Sequence, residues 1–255
     1  MTLSLIEVMK RLRDPQNGCP WDLAQSHESL MPYLLEETHE VRDALLQNGP
    51  DSEEFVEELG DLLFQVVFHA QLLAERRGID FDHIAQKCAD KLVRRHPHVF
   101  DPAHPGFDSP GAVNAQWEQL KGPKVSATTK LESIPHELPA LQRAYRLGEK
   151  ASSFGFRWPS SAEAWAKVEE ELEELRSSTN HESREEELGD LFFALAQWAR
   201  MEGIEPEWAT AQANHKFTQR FAKLDALAES RGTSLKTLSL GQLLELWKEA
   251  KSVDS

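Results

Sequence analysis

A seven-residue run, Glu58-Leu59-Gly60-Asp61-Leu62-Leu63-Phe64, returns later as Glu187-Leu188-Gly189-Asp190-Leu191-Phe192-Phe193. An internal repeat constrains a fold more than any composition does, because each copy must be built the same way. Four further blocks repeat in the same order. Glu36-Glu37-Thr38-His39-Glu40 returns as Glu170-Glu171-Leu172-Glu173-Glu174, and Lys91-Leu92-Val93-Arg94-Arg95 as Lys216-Phe217-Thr218-Gln219-Arg220. Trp117-Glu118-Gln119-Leu120-Lys121 returns as Trp247-Lys248-Glu249-Ala250-Lys251, and Gly18-Cys19-Pro20-Trp21 is echoed by Gly155-Phe156-Arg157-Trp158. The offsets run from 125 to 137 residues. Five matches in register imply two tandem domains, placed at 1–121 and 139–255. Residues 122–138 (GPKVSATTKLESIPHEL), with clustered hydroxyl residues and a proline near each end, read as the linker.

Each half reads as helical. Apolar residues recur at steps of three and four, and no stretch keeps the strict alternation of a strand. Asn48-Gly49-Pro50-Asp51 and Ser177-Ser178-Thr179-Asn180 have turn composition and separate two helices in each half, expected to run antiparallel. Asp51 with Glu54, and Ser183 with Glu186, have capping spacing for the second helix. A third helix is expected over 81–95 and 207–229, the former stopped by His96-Pro97-His98. The fold class is therefore all-α.

On these helices the acids fall into pairs. Glu171 and Glu174 are three residues apart, as are Glu187 and Asp190, so each pair shares a helix face. Antiparallel packing brings the four together, and Glu37, Glu40, Glu58 and Asp61 form the same set in the first half. A lone acidic stretch would be a solvated face. Here the second helix is apolar nearly all round after the motif, in 62–68 and 191–196, and is expected to be largely buried. Like charges about 5 Å apart repel by roughly 3 kcal/mol per pair at an effective dielectric of 20. A cage of four needs a cation, and oxygen ligands without cysteine or paired histidine suit Mg²⁺, or Mn²⁺ in its place, rather than zinc.

The chain carries a net charge of −15, which argues against nucleic acid as a partner and is awkward for an anionic substrate. A metal with a local basic clamp resolves the conflict. Lys216 and Arg220 are one turn apart, as are Lys91 and Arg95, and either decorate a surface or hold outer phosphates, with Lys251 in support. Trp158 and Trp247, with Trp21 and Trp117, either fill the core or stack on a base. No P-loop and no Gly-x-Ser-x-Gly elbow is present. A di-iron bundle would want Glu-x-x-His twice; Glu36 and His39 supply it once, and Glu173 stands at the second position.

Cys19 and Cys88 are too few for a disulfide framework and read as reduced thiols. The start lacks the pattern of a signal peptide, and the most apolar run, Leu62 to Ala74, is only 13 residues and contains Gln65, His69 and Gln71. A bilayer span needs about 20 apolar residues. A cytoplasmic protein without membrane contact is the expectation.

The blocks resemble the MazG family of all-α nucleoside triphosphate pyrophosphohydrolases, whose signature is Glu-Glu-x-x-Glu followed by Glu-x-x-Asp. The spacers here are 17 residues (41–57) and 12 residues (175–186), and the resemblance covers almost the whole chain. Residues 17–22 (NGCPWD) and 94–100 (RRHPHVF) look like the first domain of two-domain bacterial members. The resemblance implies hydrolysis of NTPs or dNTPs, across a broad range of bases, to monophosphate and pyrophosphate. It also implies a homodimer of helical bundles and a role in nucleotide-pool cleansing or nucleotide-level control. By match to the motif, Glu171, Glu174, Glu187 and Asp190 would bind Mg²⁺, and Glu170 would support the metal shell or act as base. Lys216 and Arg220 would contact phosphates and Trp247 the nucleotide. Glu37, Glu40, Glu58, Asp61, Lys91 and Arg95 match in the first domain, and the second domain is expected to be the better catalyst. Two other readings are a deoxynucleotide-specific hydrolase related to dimeric dUTPases, and a non-catalytic regulator whose acidic helices bind a protein.

Overall fold

In a computed structural model, which describes residues 3–104, 106, 107 and 126–252, the chain divides into two compact units, Met1–Pro123 and Lys124–Ser255. Every regular element among the described residues is helical. The block 117–121 and residues 122–125 of the expected linker lie outside the described residues.

The first unit contains α1 (Leu5–Leu12), α2 (Pro20–Ala24), α3 (His27–Asn48), α4 (Glu53–Arg77), α5 (Phe81–Arg95) and a single turn, α6 (Pro97–Phe100). Its axis is the α3–α4 pair. His27 meets His69 and Glu37 meets Gln65, so the two helices run antiparallel. Met9 of α1, Leu30 of α3, and Val67, Phe68 and Leu72 of α4 form the core. Arg13 pins the polar edge of that core. Its guanidinium donates to both Glu75 oxygens, at 2.8 and 2.6 Å, and to the Asp22 carbonyl. The NGCPWD segment is thereby fastened to α4.

The second unit contains α7 (Ala127–Glu132), α8 (Ala140–Ser152), α9 (Ser161–Ser177), α10 (His181–Met201), α11 (Pro206–Ser230), a 3₁₀ turn at Leu235–Thr237 and α12 (Leu240–Ser252). The α9–α10 pair repeats α3–α4. Small residues, Ala164, Ala194, Ala196 and Ala199, line the buried side of these two helices and allow close approach, and Trp165 meets Trp198 edge-on at 4.9 Å. Leu224 and Ala228 of α11 pack against Leu246 and Ala250 of α12 in a second core.

Several expectations change. The described part of the segment read as linker, 126–138, holds α7, buries Ile134 and falls in the second unit. The caps move as well. Ser52, not Asp51, accepts from Phe55 N, and Asn180, not Ser183, caps α10 by accepting from Ser183 N at 2.8 Å. Each helix starts where the backbone path sets a side-chain oxygen against an unpaired N–H of the first turn. The motif helices are also less enclosed than their composition suggests. Val56, Leu59, Leu63 and Val66 of α4 are 41–59% exposed, and Leu188 and Phe192 of α10 are 40% and 49% exposed. Their own unit covers only one side of each helix.

Candidate functional site: two carboxylate clusters and a cavity

The tight α9–α10 turn sets the facing residues. In the second unit, oxygens of Glu171, Glu187 and Asp190 lie within 4.8 Å of one another. Glu171 is buried at 6% exposure, Glu187 is half-buried, and Asp190 and Glu174 are exposed. Partial burial, and then repulsion from Glu174, Glu171, Glu186 and Asp190, pushes the Glu187 carboxyl above its usual range. Glu174 therefore belongs to the electrostatic cluster while standing outside the tight triad. In the first unit the triad is Glu37, Glu40 and Glu58. Burial leads the rise of Glu37 and Glu58 as well, with Asp61 among the repelling charges in both. Gln65 opposes the shift at Glu37 by donating from Nε2 at 3.3 Å.

Both sets consist of carboxylates alone, gathered closely enough for one ion. That donor chemistry fits a hard divalent cation that prefers oxygen.

Glu170 points differently. It is exposed, and Lys167 Nζ reaches it at 2.6 Å and Glu171 at 2.7 Å. Hydrogen bonds to Glu170 and then Glu171 hold the Lys167 ammonium far above the ordinary lysine range. The second unit thus places a fixed cation against its most buried acid. The i,i+4 spacing of Lys167 and Glu171 was the sequence signal for it.

A cavity of about 590 Å³ opens beside this cluster and includes Glu171, Asp190 and Lys167 in its lining. Leu131, Leu147, Ala151, Trp158 and Phe193 make it largely apolar, and Gln197 and Arg200 lie farther along α10. Trp158 therefore sits at the cavity and not in a core. Neither Gln197 nor Arg200 carries a motif signal, because only the packing of α8 on α10 turns them into a wall.

The remaining candidates lie elsewhere. Lys216 is exposed and Arg220 half-buried on α11; Lys251 is exposed on α12. Trp247 is half-buried, with its ring 5.2 Å from Phe217, which brings it to the stretch of α11 bearing Lys216 and Arg220. None of these four lines the cavity. In the first unit Lys91 is exposed and Arg95 half-buried on α5, and Trp21 meets Tyr33 edge-on at 5.8 Å. Trp117 lies outside the described residues.

Antiparallel helix pairs that face Glu-Glu-x-x-Glu against Glu-x-x-Asp, twice in one all-helical chain, define the class: the all-α NTP pyrophosphatase fold. Residues 25–100 match the model of the MazG nucleotide pyrophosphohydrolase domain. The chain is 40% identical over 252 residues to the nucleoside triphosphate pyrophosphohydrolase/pyrophosphatase MazG of Thermotoga maritima, covering 98% of this chain and 95% of that one. It is 40% identical over 255 residues to the nucleoside triphosphate pyrophosphohydrolase of Escherichia coli K12, covering 97% and 95%. A Bacillus subtilis protein, YabN, is 38% identical over 253 residues, 97% of this chain and 51% of its own length. The chain belongs to the MazG family.

Proposed function

We infer that the chain hydrolyses nucleoside triphosphates, ribo- or deoxyribo-, to the monophosphate and pyrophosphate. The observation that carries this is the facing pair of acidic helices, present in both units of a chain that aligns end to end with named pyrophosphohydrolases. The two halves of the repeat are taken as separate domains, 126–138 belonging to the second, with the second as the main catalyst. Its support is the cavity, which adjoins Glu171 and Asp190.

Glu171, Glu174, Glu187 and Asp190 hold Mg²⁺ in this reading, and Glu37, Glu40, Glu58 and Asp61 do so in the first unit. When bound, the ion neutralises phosphate charge and acidifies coordinated water. Water attacks a phosphorus of the triphosphate, its oxygen bonds to phosphorus, and the α,β anhydride bond breaks with pyrophosphate leaving. Glu170 accepts the proton of the attacking water, and Lys167, bonded to it and to Glu171, keeps it oriented. Lys216 and Arg220, with Lys251, hold the outer phosphates and Trp247 contacts the nucleotide beside them, while Trp158, in the cavity wall, contacts the nucleoside; Lys91 and Arg95 are the first unit's clamp. Little covalent chemistry falls to the protein, so positioning and charge dominate.

The exposed apolar stripes of α4 and α10 support a homodimer that covers them. No described helix is long and apolar enough to cross a membrane. The net charge of −15 disfavours nucleic acid as a partner.

The test is Glu171→Ala combined with Glu187→Ala, with folding checked by circular dichroism. Mg²⁺-dependent pyrophosphate release from mixed NTPs should fall about 100-fold or more. Undiminished release would remove the second cluster from the chemistry.

A further inference from the structure

The cavity of the second unit follows one face of α10. Asp190, Phe193, Ala194, Gln197 and Arg200 all line it, a run of eleven residues, or about 15 Å of helix. Glu171 and Asp190, with Lys167 paired to Glu171, line its acidic end; Arg200 lines it at the far end of the α10 run, and Arg157, from the segment before α9, is a second arginine in its wall. Phosphates bound through a metal belong at the acidic end, and the nucleoside then extends along α10 between apolar walls, toward Arg200.

Arg200 is held in place from behind. Its Nε donates to Gln197 Oε1 at 3.2 Å. Gln197 is 6% exposed, and its Nε2 donates to the Ala144 carbonyl of α8 at 2.7 Å. The backbone of α8 leaves no slack, since a Cβ at Gly148 would lie 1.5 Å from Gln197 Oε1. With Nε committed, the other N–H groups of Arg200 sit on its two terminal nitrogens. Arginine donates and never accepts, so the base edge it meets must offer acceptors. Guanine and hypoxanthine present N7 and O6 side by side, the pair an arginine fork reads. Adenine and cytosine place an amino donor there instead.

We propose that Arg200, positioned by Gln197, is a specificity-determining residue that makes the second unit favour 6-oxopurine nucleotides over amino-substituted bases. The proposal rests on the pyrophosphohydrolase reading. Other bases are still hydrolysed, without the two-pronged contact.

The experiment measures kcat and KM with Mg²⁺ for GTP, ITP, ATP and CTP, using the full chain carrying Glu58→Ala to silence the first site. In that background GTP and ITP should exceed ATP and CTP about tenfold in kcat/KM. Arg200→Met should erase the preference through KM, leaving ATP and CTP within about twofold. Arg200→Lys keeps the charge but lacks the fork, and should also lose the preference. Gln197→Met should shift KM for GTP and ITP in the same direction, with thermal melting verifying the fold. An equal loss for all four nucleotides, or rescue by Arg200→Lys, would place Arg200 on phosphate and overturn the proposal; so would the absence of any oxopurine preference. If this protein hydrolyses no triphosphate, the underlying reading fails, and calorimetric binding of GTP and ATP to it and to its Arg200→Met form decides the base contact separately.

Discussion

Arg13 and Glu75 show how one residue pair fastens a motif to the fold. Arg13 is 9% exposed and spends its donors on Glu75 and the Asp22 carbonyl, so the NGCPWD segment has its place through a side chain three helices away in the chain. The hydrogen bonds from Arg13 hold the Glu75 carboxyl below its ordinary value of 4.5. A carboxylate depressed in the folded state stabilises it at pH values above that ordinary value, and the contribution is lost as pH falls through the lower folded value. Glu75→Gln should therefore cost about 2 kcal/mol at pH 7, discounted because the Glu75 side chain is a third exposed. The deficit should shrink toward zero as pH drops below the ordinary carboxylate range. Urea unfolding across pH 3–7 checks this; a deficit independent of pH would mean that the pair carries no charge energy. At the same scale the paired acids were legible from their three-residue spacing. Lys167 was readable in principle, four residues before Glu171, but a lysine in an acidic helix is ordinary enough to pass as a surface partner.

At the scale of elements, two kinds of helical glycine separate cleanly. Gly60 and Gly189 occupy the same position in the repeated Glu-Leu-Gly-Asp run, and a Cβ at either meets nothing within 4 Å. Gly148 faces Gln197 with no room at all. Glycine inside a helix costs about 1 kcal/mol relative to alanine unless contact demands it. Gly189→Ala should therefore stabilise the unit by up to about 1 kcal/mol. Gly148→Ala should destabilise it by about 1–3 kcal/mol through overpacking and displace the Gln197–Arg200 pair. Denaturant midpoints at constant slope measure both, and similar effects at the two sites would contradict the packing described. The helices themselves were largely readable: the third helix of each half, expected over 81–95 and 207–229, is Phe81–Arg95 and Pro206–Ser230. Caps were not, because several nearby hydroxyl and carboxyl residues compete and only the final backbone path picks Ser52 and Asn180.

For the whole molecule, the exposed stripes Val56, Leu59, Leu63 and Val66 lie on successive turns of α4, beside the acids Glu58 and Asp61. Apolar rows of this kind are more extensive than a monomer's scattered surface residues need. If a second copy covers them, Leu59→Glu with Leu63→Glu should give a smaller species in analytical ultracentrifugation while helical content by circular dichroism holds. An unchanged sedimentation coefficient would leave the stripes without that role. The same reasoning explains the overestimate of burial: an apolar helix shows that some surface must cover it, but not whether that surface belongs to its own chain.

Sequence alone determined the duplication, the all-helical class, the acid pairs and the family, since each is a local pattern of spacing and chemistry repeated along the chain. Tertiary structure decided which three carboxylates of each four draw within ion-binding range, that Lys167 stands against Glu171, and that Gln197 and Arg200 close a cavity with α8. The division is physical. Helix periodicity fixes which residues share a face, whereas the distance between two faces, and what lies behind a side chain, depends on how separate helices pack.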